Sequence, residues 1–374
     1  MKPKIVIGCF LAFLILPSLL YPAAGKFLDT GNHENRTLAP LPEFTAANYG
    51  NITSQLSAYY DDHLPFKNQL VRVNSFLEKT VNVVPSVLEM INGTENVTRG
   101  KDGWLFYTVH TEEENSVEDY LGTNRYTEEE LVKLAEKYNR FSEYLSAYGG
   151  EAVLFLPPNK ETVYSEYMPD RLKRGKDGSR TKEALLYLAA HTDVTVVSPE
   201  EALLSNKENE TLYYKYDTHW NRLGAFVGDQ ALTKVLQGES RELADMEIAV
   251  YGNKEGDLSN LLGTAGENTD DPEYAITDYK PEVTVQTDEE MVGGTCHAYT
   301  SDAADTRSVL MLGDSFSAAM LDYLPKDFAT VWVTESEEEA AKLIKEKQPD
   351  IVLLEIVERR AECLENVTDR LMEP

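Results

Sequence analysis

From residue 152 onward, short continuous apolar runs alternate with stretches of helical spacing. The runs cover 152–156, 194–197, 308–312, 329–333 and 351–354. Each is four or five residues long, the length of a strand buried on both faces. Between them, 180–191, 221–236, 317–323 and 335–347 place apolar residues three and four apart, the period of a helix with one buried side. A further helix is predicted over 127–148, with Thr127 as its cap, Glu128, Glu129 and Glu130 in the first turn, and Gly149-Gly150 as the stop. This alternation predicts an α/β fold, a mostly parallel sheet flanked by helices.

The remainder of the chain has a different texture. Lys2 and Lys4 precede an apolar run at 5–21, followed by Pro22-Ala23-Ala24-Gly25. That pattern makes 1–25 a signal peptide or an N-terminal membrane anchor, and localisation extracytoplasmic, either secreted or anchored. Residues 26–98 form an extended and helical lead-in: 26–42 is polar and proline-spaced, and 44–82 is helical with a break at Pro65. Gly100-Lys101-Asp102-Gly103 between β-prone runs signals a hairpin. The main domain occupies 99–374. Within it, 239–305 is rich in Gly, Asp and Thr and alternates at Val283-Thr284-Val285, which predicts an insertion of loops and antiparallel strands.

Composition narrows the partners. A formal net charge of −29 sets the surface against nucleic acid. Cys296 and Cys363 either pair in an oxidising compartment or remain buried thiols. Neither a C-x-x-C pair nor zinc-ligand spacing occurs, so no metal and no cofactor is expected.

Ligands of open α/β sheets collect beyond the carboxyl ends of the strands. The polar residues following the apolar runs are Pro157-Pro158-Asn159-Lys160, Gly313-Asp314-Ser315-Phe316, and Glu355, Glu358 and Arg359. In Gly313-Asp314-Ser315 a strand ends, glycine permits a tight turn, and serine opens a helix. A nucleophile fits there, with the Ser315 amide and the following helix amides as oxyanion donors; a plain helix cap fits as well. A serine nucleophile needs a base and an orienting acid. Among six histidines, His219 stands in Tyr216-Asp217-Thr218-His219-Trp220-Asn221, two residues after Asp217. In extended backbone both side chains point one way, so Asp217 can hold one ring nitrogen while the other meets Ser315. His297, in the insertion, is the rival base. Lys160 and Arg359 are candidate substrate contacts at the rim, or surface ion pairs. Trp220 is a candidate sugar platform, or core.

Asp217-Thr218-His219-Trp220 followed by Gly313-Asp314-Ser315-Phe316 resembles the DHHW and AlgX/AlgJ-like group of SGNH-hydrolase folds. Glu34-Asn35-Arg36, Asp62-His63-Leu64-Pro65-Phe66, Gly103-Trp104-Leu105-Phe106, Gly256-Asp257-Leu258 and Glu358-Arg359 agree with it in order. The resemblance implies an SGNH-hydrolase-like domain in which Ser315, His219 and Asp217 form the catalytic triad. It also implies O-acetylation of an exported polysaccharide acceptor, with a membrane-bound O-acyltransferase as acetyl source. Ordinary SGNH enzymes place serine early and the Asp/His pair late; here the order is permuted. The Gly and Asn blocks that complete their oxyanion hole are not identifiable in this sequence. Two other readings use the same residues: a carbohydrate acetylesterase with water as acceptor, and a non-catalytic polysaccharide-binding protein.

Overall fold

The structure is a computed structural model that describes residues 20–21, 37–42, 51–73, 96–111, 114–176, 178–264, 266–288 and 296–373. The expected leader over 1–25, except 20–21, lies outside the described residues, as does Glu34-Asn35-Arg36. Among the described residues no helix is long and apolar enough to cross a membrane.

The chain divides into two compact units, 1–94 with 255–268, and 95–254 with 269–374. The stretch 255–268, expected within the insertion of the main domain, therefore groups with the N-terminal residues. In that first unit a helix spans Ile52–Asp62, and helical backbone resumes at 67 after Pro65, which lacks the amide a continuous helix would need.

The second unit opens with an antiparallel pair, β1 (Val97–Arg99) and β2 (Leu105–Tyr107). Asp102 and Gly103 turn the corner at φ +53° and +80°, the left-handed conformation that Asp and Gly tolerate. After the short helix α1 (Ser116–Leu121), α2 runs over Glu128–Ser146. Thr127 and Glu130 cap it reciprocally, each side chain taking the other's backbone N–H.

Then come β3 (Glu151–Phe155), α3 (Lys160–Val163), α4 (Arg180–His191), β4 (Thr195–Val197), α5 (Glu200–Asn206) and α6 (Arg222–Gln237). An antiparallel hairpin pair follows, β5 (Ile248–Asn253) with β6 (Pro272–Ile276). The chain continues through β7 (Val285–Asp288), β8 (Cys296–Ser301), β9 (Asp305–Leu312), α7 (Ser317–Met320) and α8 (Leu324–Asp327). It ends with β10 (Phe328–Thr334), α9 (Glu337–Lys347), β11 (Ile351–Glu355) and α10 (Val367–Met372).

Seven strands form one sheet in the order β4-β3-β11-β9-β10-β8-β7. The five apolar runs are its parallel strands, and β8 and β7 extend it antiparallel. The mostly parallel sheet is thus present, with the antiparallel strands coming from 239–305 as expected. Alternation explains the continuous apolar runs. Val153 and Phe155, Val309 and Met311, and Ile351 and Leu353 enter one core with Trp220 and Phe316. Ala152 and Leu154, Leu310 and Leu312, and Val352 and Leu354 enter the other, against α2, α4 and α9. No disulfide joins Cys296 and Cys363 among the described residues.

Candidate active site

β9 ends at Leu312, and Gly313 begins the turn that carries Ser315. A Cβ on Gly313 would lie 2.7 Å from Ser317 Cβ and 3.1 Å from Glu355 Oε2, so only glycine lets the turn fold this tightly against β11. Asp314 fastens the turn. Its Oδ1 accepts the Phe316 amide at 2.9 Å, its Oδ2 accepts the Val357 amide at 2.9 Å, and its own amide donates to Glu355 Oε2 at 2.8 Å. Burial beside Asp314 holds the Glu355 carboxyl well above the usual carboxylate range. The result is an exposed Ser315 on a buried, cross-braced loop.

His219 Nε2 lies 2.7 Å from Ser315 Oγ, and His219 Nδ1 lies 2.6 Å from Asp217 Oδ1. Asp217 is buried, His219 half-buried and Ser315 exposed. The Asp217–His219 pair does not sit in extended backbone as anticipated. Residues 215–219 bend, and the His219 amide itself donates to Asp217 Oδ1 at 3.0 Å. The carboxylate thus holds both the backbone and the ring of the residue two further on, a short-range bond typical of Asp in turns. Because a carboxylate only accepts, Nδ1 carries the proton toward Asp217, and Nε2 is left as acceptor toward Ser315. A proton can therefore pass from Oγ to Nε2 as the oxygen attacks an acyl carbon. His297, the rival base, stands exposed on β8 opposite Val333.

The helix amides expected to bind an oxyanion are occupied. The Phe316 amide serves Asp314 Oδ1, and the Ser317 amide serves the Asp314 carbonyl at 3.0 Å. α7 is also shorter than the 317–323 expected, ending at Met320. The Ser315 amide donates to no other group among the described residues.

The three expected substrate contacts lie behind the site. Lys160 is 2% exposed, and its ammonium donates to the carbonyls of Tyr214 (3.0 Å), Lys215 (3.2 Å) and Asp217 (2.6 Å). It was expected on the rim because it follows the carboxyl end of the first apolar run; a buried lysine is unusual, and here three carbonyl acceptors offset the loss of water. Trp220 is 1% exposed. Its indole covers Gly228, where a Cβ would come within 2.8 Å of the ring, and its N–H donates to the Phe316 carbonyl at 3.0 Å. It braces the histidine segment against the serine turn and presents no face to a sugar. Arg359 is 7% exposed, with its guanidinium over the rings of Phe316 and Tyr107 and 3.5 Å from Glu114.

One residue that sequence reasoning passed over completes this scaffold. Asp271 accepts the amides of Lys215 at 2.9 Å and Tyr216 at 2.8 Å. Lys160 takes the carbonyls of the 214–217 bend and Asp271 takes its amides, so the bend carrying Asp217 is held from both polarities. Asp271 sits in the acidic, loop-rich 239–305 stretch, where nothing local distinguishes it from a solvated carboxylate.

Residues 97–338, which include Asp217, His219 and Ser315, match the family described as "SGNH hydrolase-like domain, acetyltransferase AlgX". The chain is 25% identical over 224 residues to the "Probable alginate O-acetylase AlgJ" of Pseudomonas putida, covering 57% of this chain and 52% of that protein. It is 25% identical over 282 residues to the AlgJ of Pseudomonas syringae pv. tomato, covering 72% of this chain and 64% of that one. The chain thus spans between about half and two thirds of the length of these curated relatives. A crystal structure of a DHHW family protein from Eubacterium siraeum superposes with a TM-score of 0.53 at 16% identity, over 75% of this chain and 100% of that one, a likeness of fold. With the family match covering well over half of the 374 residues, the chain belongs to the AlgX family of SGNH hydrolase-like acetyltransferase domains.

Proposed function

We propose that this protein is an extracytoplasmic O-acetyltransferase that moves acetyl groups onto hydroxyls of a polysaccharide through a Ser315 acetyl-enzyme. The observation that carries the proposal is the continuous hydrogen-bonded line Ser315–His219–Asp217, at 2.7 Å and 2.6 Å, with the serine end exposed and the aspartate end buried. The names of the AlgJ relatives support a polysaccharide acceptor. The basic and apolar pattern over 1–25 supports export, with the segment cleaved or kept as an anchor, and a membrane-bound O-acyltransferase is the proposed acetyl source.

Ser315 Oγ attacks the acetyl carbonyl carbon as its proton passes to His219 Nε2. The tetrahedral intermediate collapses, the donor's leaving atom takes that proton, and the acetyl group stays on Oγ. An acceptor hydroxyl then gives its proton to Nε2 and attacks the same carbon, and Ser315 Oγ departs with the proton. Asp217 holds the ring in the required tautomer and stabilises the imidazolium between transfers. The Ser315 amide is the first oxyanion donor.

A second reading, an acetylesterase, draws on one observation: Ser315 is exposed, so water reaches the acyl-enzyme. Incubation with p-nitrophenyl acetate, followed by intact mass, tests the shared step, and an oligosaccharide acceptor separates the two readings. An acetyl adduct on Ser315 that passes to the sugar supports transfer; release only as acetate makes the protein an esterase. Ser315→Ala should lose on the order of 10⁴-fold in rate. Undiminished turnover in that variant removes the nucleophile assignment.

A further inference from the structure

Trp220 is buried and offers no face to a ligand, whereas the β5/β6 hairpin presents an exposed aromatic residue, Tyr251. Val250 pairs with Tyr274 and Gly252 with Glu273, so Tyr251 is the extra residue of a β-bulge. Bulges bend a strand and re-aim a side chain, and they concentrate beside active sites. Tyr251 is 53% exposed, although a tyrosine ring gains much from burial.

The bulge lays this ring against Arg222, whose Cζ lies 5.5 Å from the ring centroid. Arg222 opens α6 only three positions after His219. Its Nε pairs with Asp322 Oδ2 at 3.1 Å, and Asp322 lies seven positions after Ser315. The neighbouring Tyr323 hydroxyl donates to the Arg222 carbonyl at 2.9 Å. Arg222 is thus tied both to the segment that carries His219 and to the segment that carries Ser315, and Tyr251 is stacked on that tie. The Arg222 and Asp322 side chains remain 39% and 41% exposed, so donors and an acceptor flank an open aromatic ring. A flat apolar surface edged by charged groups is complementary to a pyranose, which has an apolar C–H face and a rim of hydroxyls.

Resting on the acetyltransferase reading, we infer that Tyr251, with Arg222 and Asp322 at its edge, is the subsite that stacks a pyranose ring of the polysaccharide acceptor beside Ser315. The ring stands on the exposed end of β5, and the Arg222–Asp322 pair links it to the segments that carry His219 and Ser315.

The test is binding of two hexasaccharides, one from alginate and one from cellulose, to full-length Ser315→Ala protein by titration calorimetry. Tyr251→Ala in that background should weaken the bound hexasaccharide by about tenfold, and Tyr251→Trp should restore it. Equal affinity of the Ala variant and its parent overturns the subsite, as does failure of the parent to bind either sugar. Because Tyr251 is exposed, thermal melting of the Ala variant should match the parent, which separates lost stacking from lost fold. Ester hydrolysis by the Ser315-containing protein reports the acyl-enzyme reading separately. Hydrolysis with no sugar affinity sinks the subsite alone, and sugar affinity without any Ser315 acetylation sinks the enzyme reading alone.

Discussion

Lys160→Met tests whether a buried cation sets the geometry of Asp217. The ammonium donates three hydrogen bonds to carbonyls, the shortest, 2.6 Å, to Asp217 itself. Methionine fills a similar volume and removes all three. The Tyr214 and Asp217 carbonyls lose the Lys160 donor, at about 1–3 kcal/mol each, while the Lys215 carbonyl keeps the Leu105 amide at 3.1 Å. Against that, the variant no longer strips water from an ammonium, which ordinarily costs several kcal/mol. The balance is a net loss of about 1–3 kcal/mol, because the groups left behind are neutral carbonyls and not a buried charge. In a domain of this size that lowers the melting temperature by roughly 5 °C.

Stability is only half of the expectation. The Asp271 amide bonds at 2.9 and 2.8 Å keep one side of the 214–217 bend in place, while on its carbonyl side only the Leu105 amide to the Lys215 carbonyl still holds and the Tyr214 and Asp217 carbonyls lose the ammonium. The Asp217 carboxylate then shifts relative to His219, and a displacement of about 1 Å at a catalytic group costs on the order of 10²-fold in rate. Urea denaturation gives the first quantity. Turnover of p-nitrophenyl acetate, measured well below the melting range, gives the second, with the loss expected in kcat more than in KM. A stable variant with wild-type turnover would refute the clamp. A destabilised variant with wild-type kcat would reduce Lys160 to a purely structural residue.

Gly313→Ala pushes a Cβ to 2.7 Å from Ser317 Cβ, and overpacking of this kind costs about 1–3 kcal/mol. Thermal melting should fall and ester turnover should fall with it as the Ser315 turn is pried from β11; an unchanged melt would show that the turn opens freely. Burial, with Asp119 alongside, pushes the Glu358 carboxyl up to about 8 from an ordinary 4.5. The folded chain then keeps a proton that the unfolded chain releases, so this contribution to stability is full below about pH 4.5 and is lost as pH rises toward about 8. Glu358→Gln should flatten the decline in melting temperature over that window, and a slope equal to wild type would remove Glu358 as its source.

Much of this protein is determined by local pattern. Runs of four or five apolar residues became the five parallel strands because a strand buried on both faces has no polar position to spare. The Thr127–Glu130 cap and the Asp102-Gly103 corner lie where local backbone chemistry puts them. Ser315 and the Asp217–His219 pair were legible because a strand-to-turn junction and an i, i+2 spacing are short-range features. Tertiary structure decided which charged and aromatic residues are buried and which are exposed. Lysine or arginine after a strand, and tryptophan before a helix, look the same in sequence whether they point to water or to a backbone carbonyl. Lys160 and Trp220 went inside because acceptors 54 to 96 residues away met them there. Asp271 joined the scaffold by the same kind of long-range pairing, with amides 55 and 56 residues away. Tyr251 lies at a one-residue mismatch in the pairing of β5 with β6, on a stretch of β5 exposed from Val250 to Asn253. A buried polar group is retained only where distant partners satisfy it, and those partners are brought within reach by the fold as a whole.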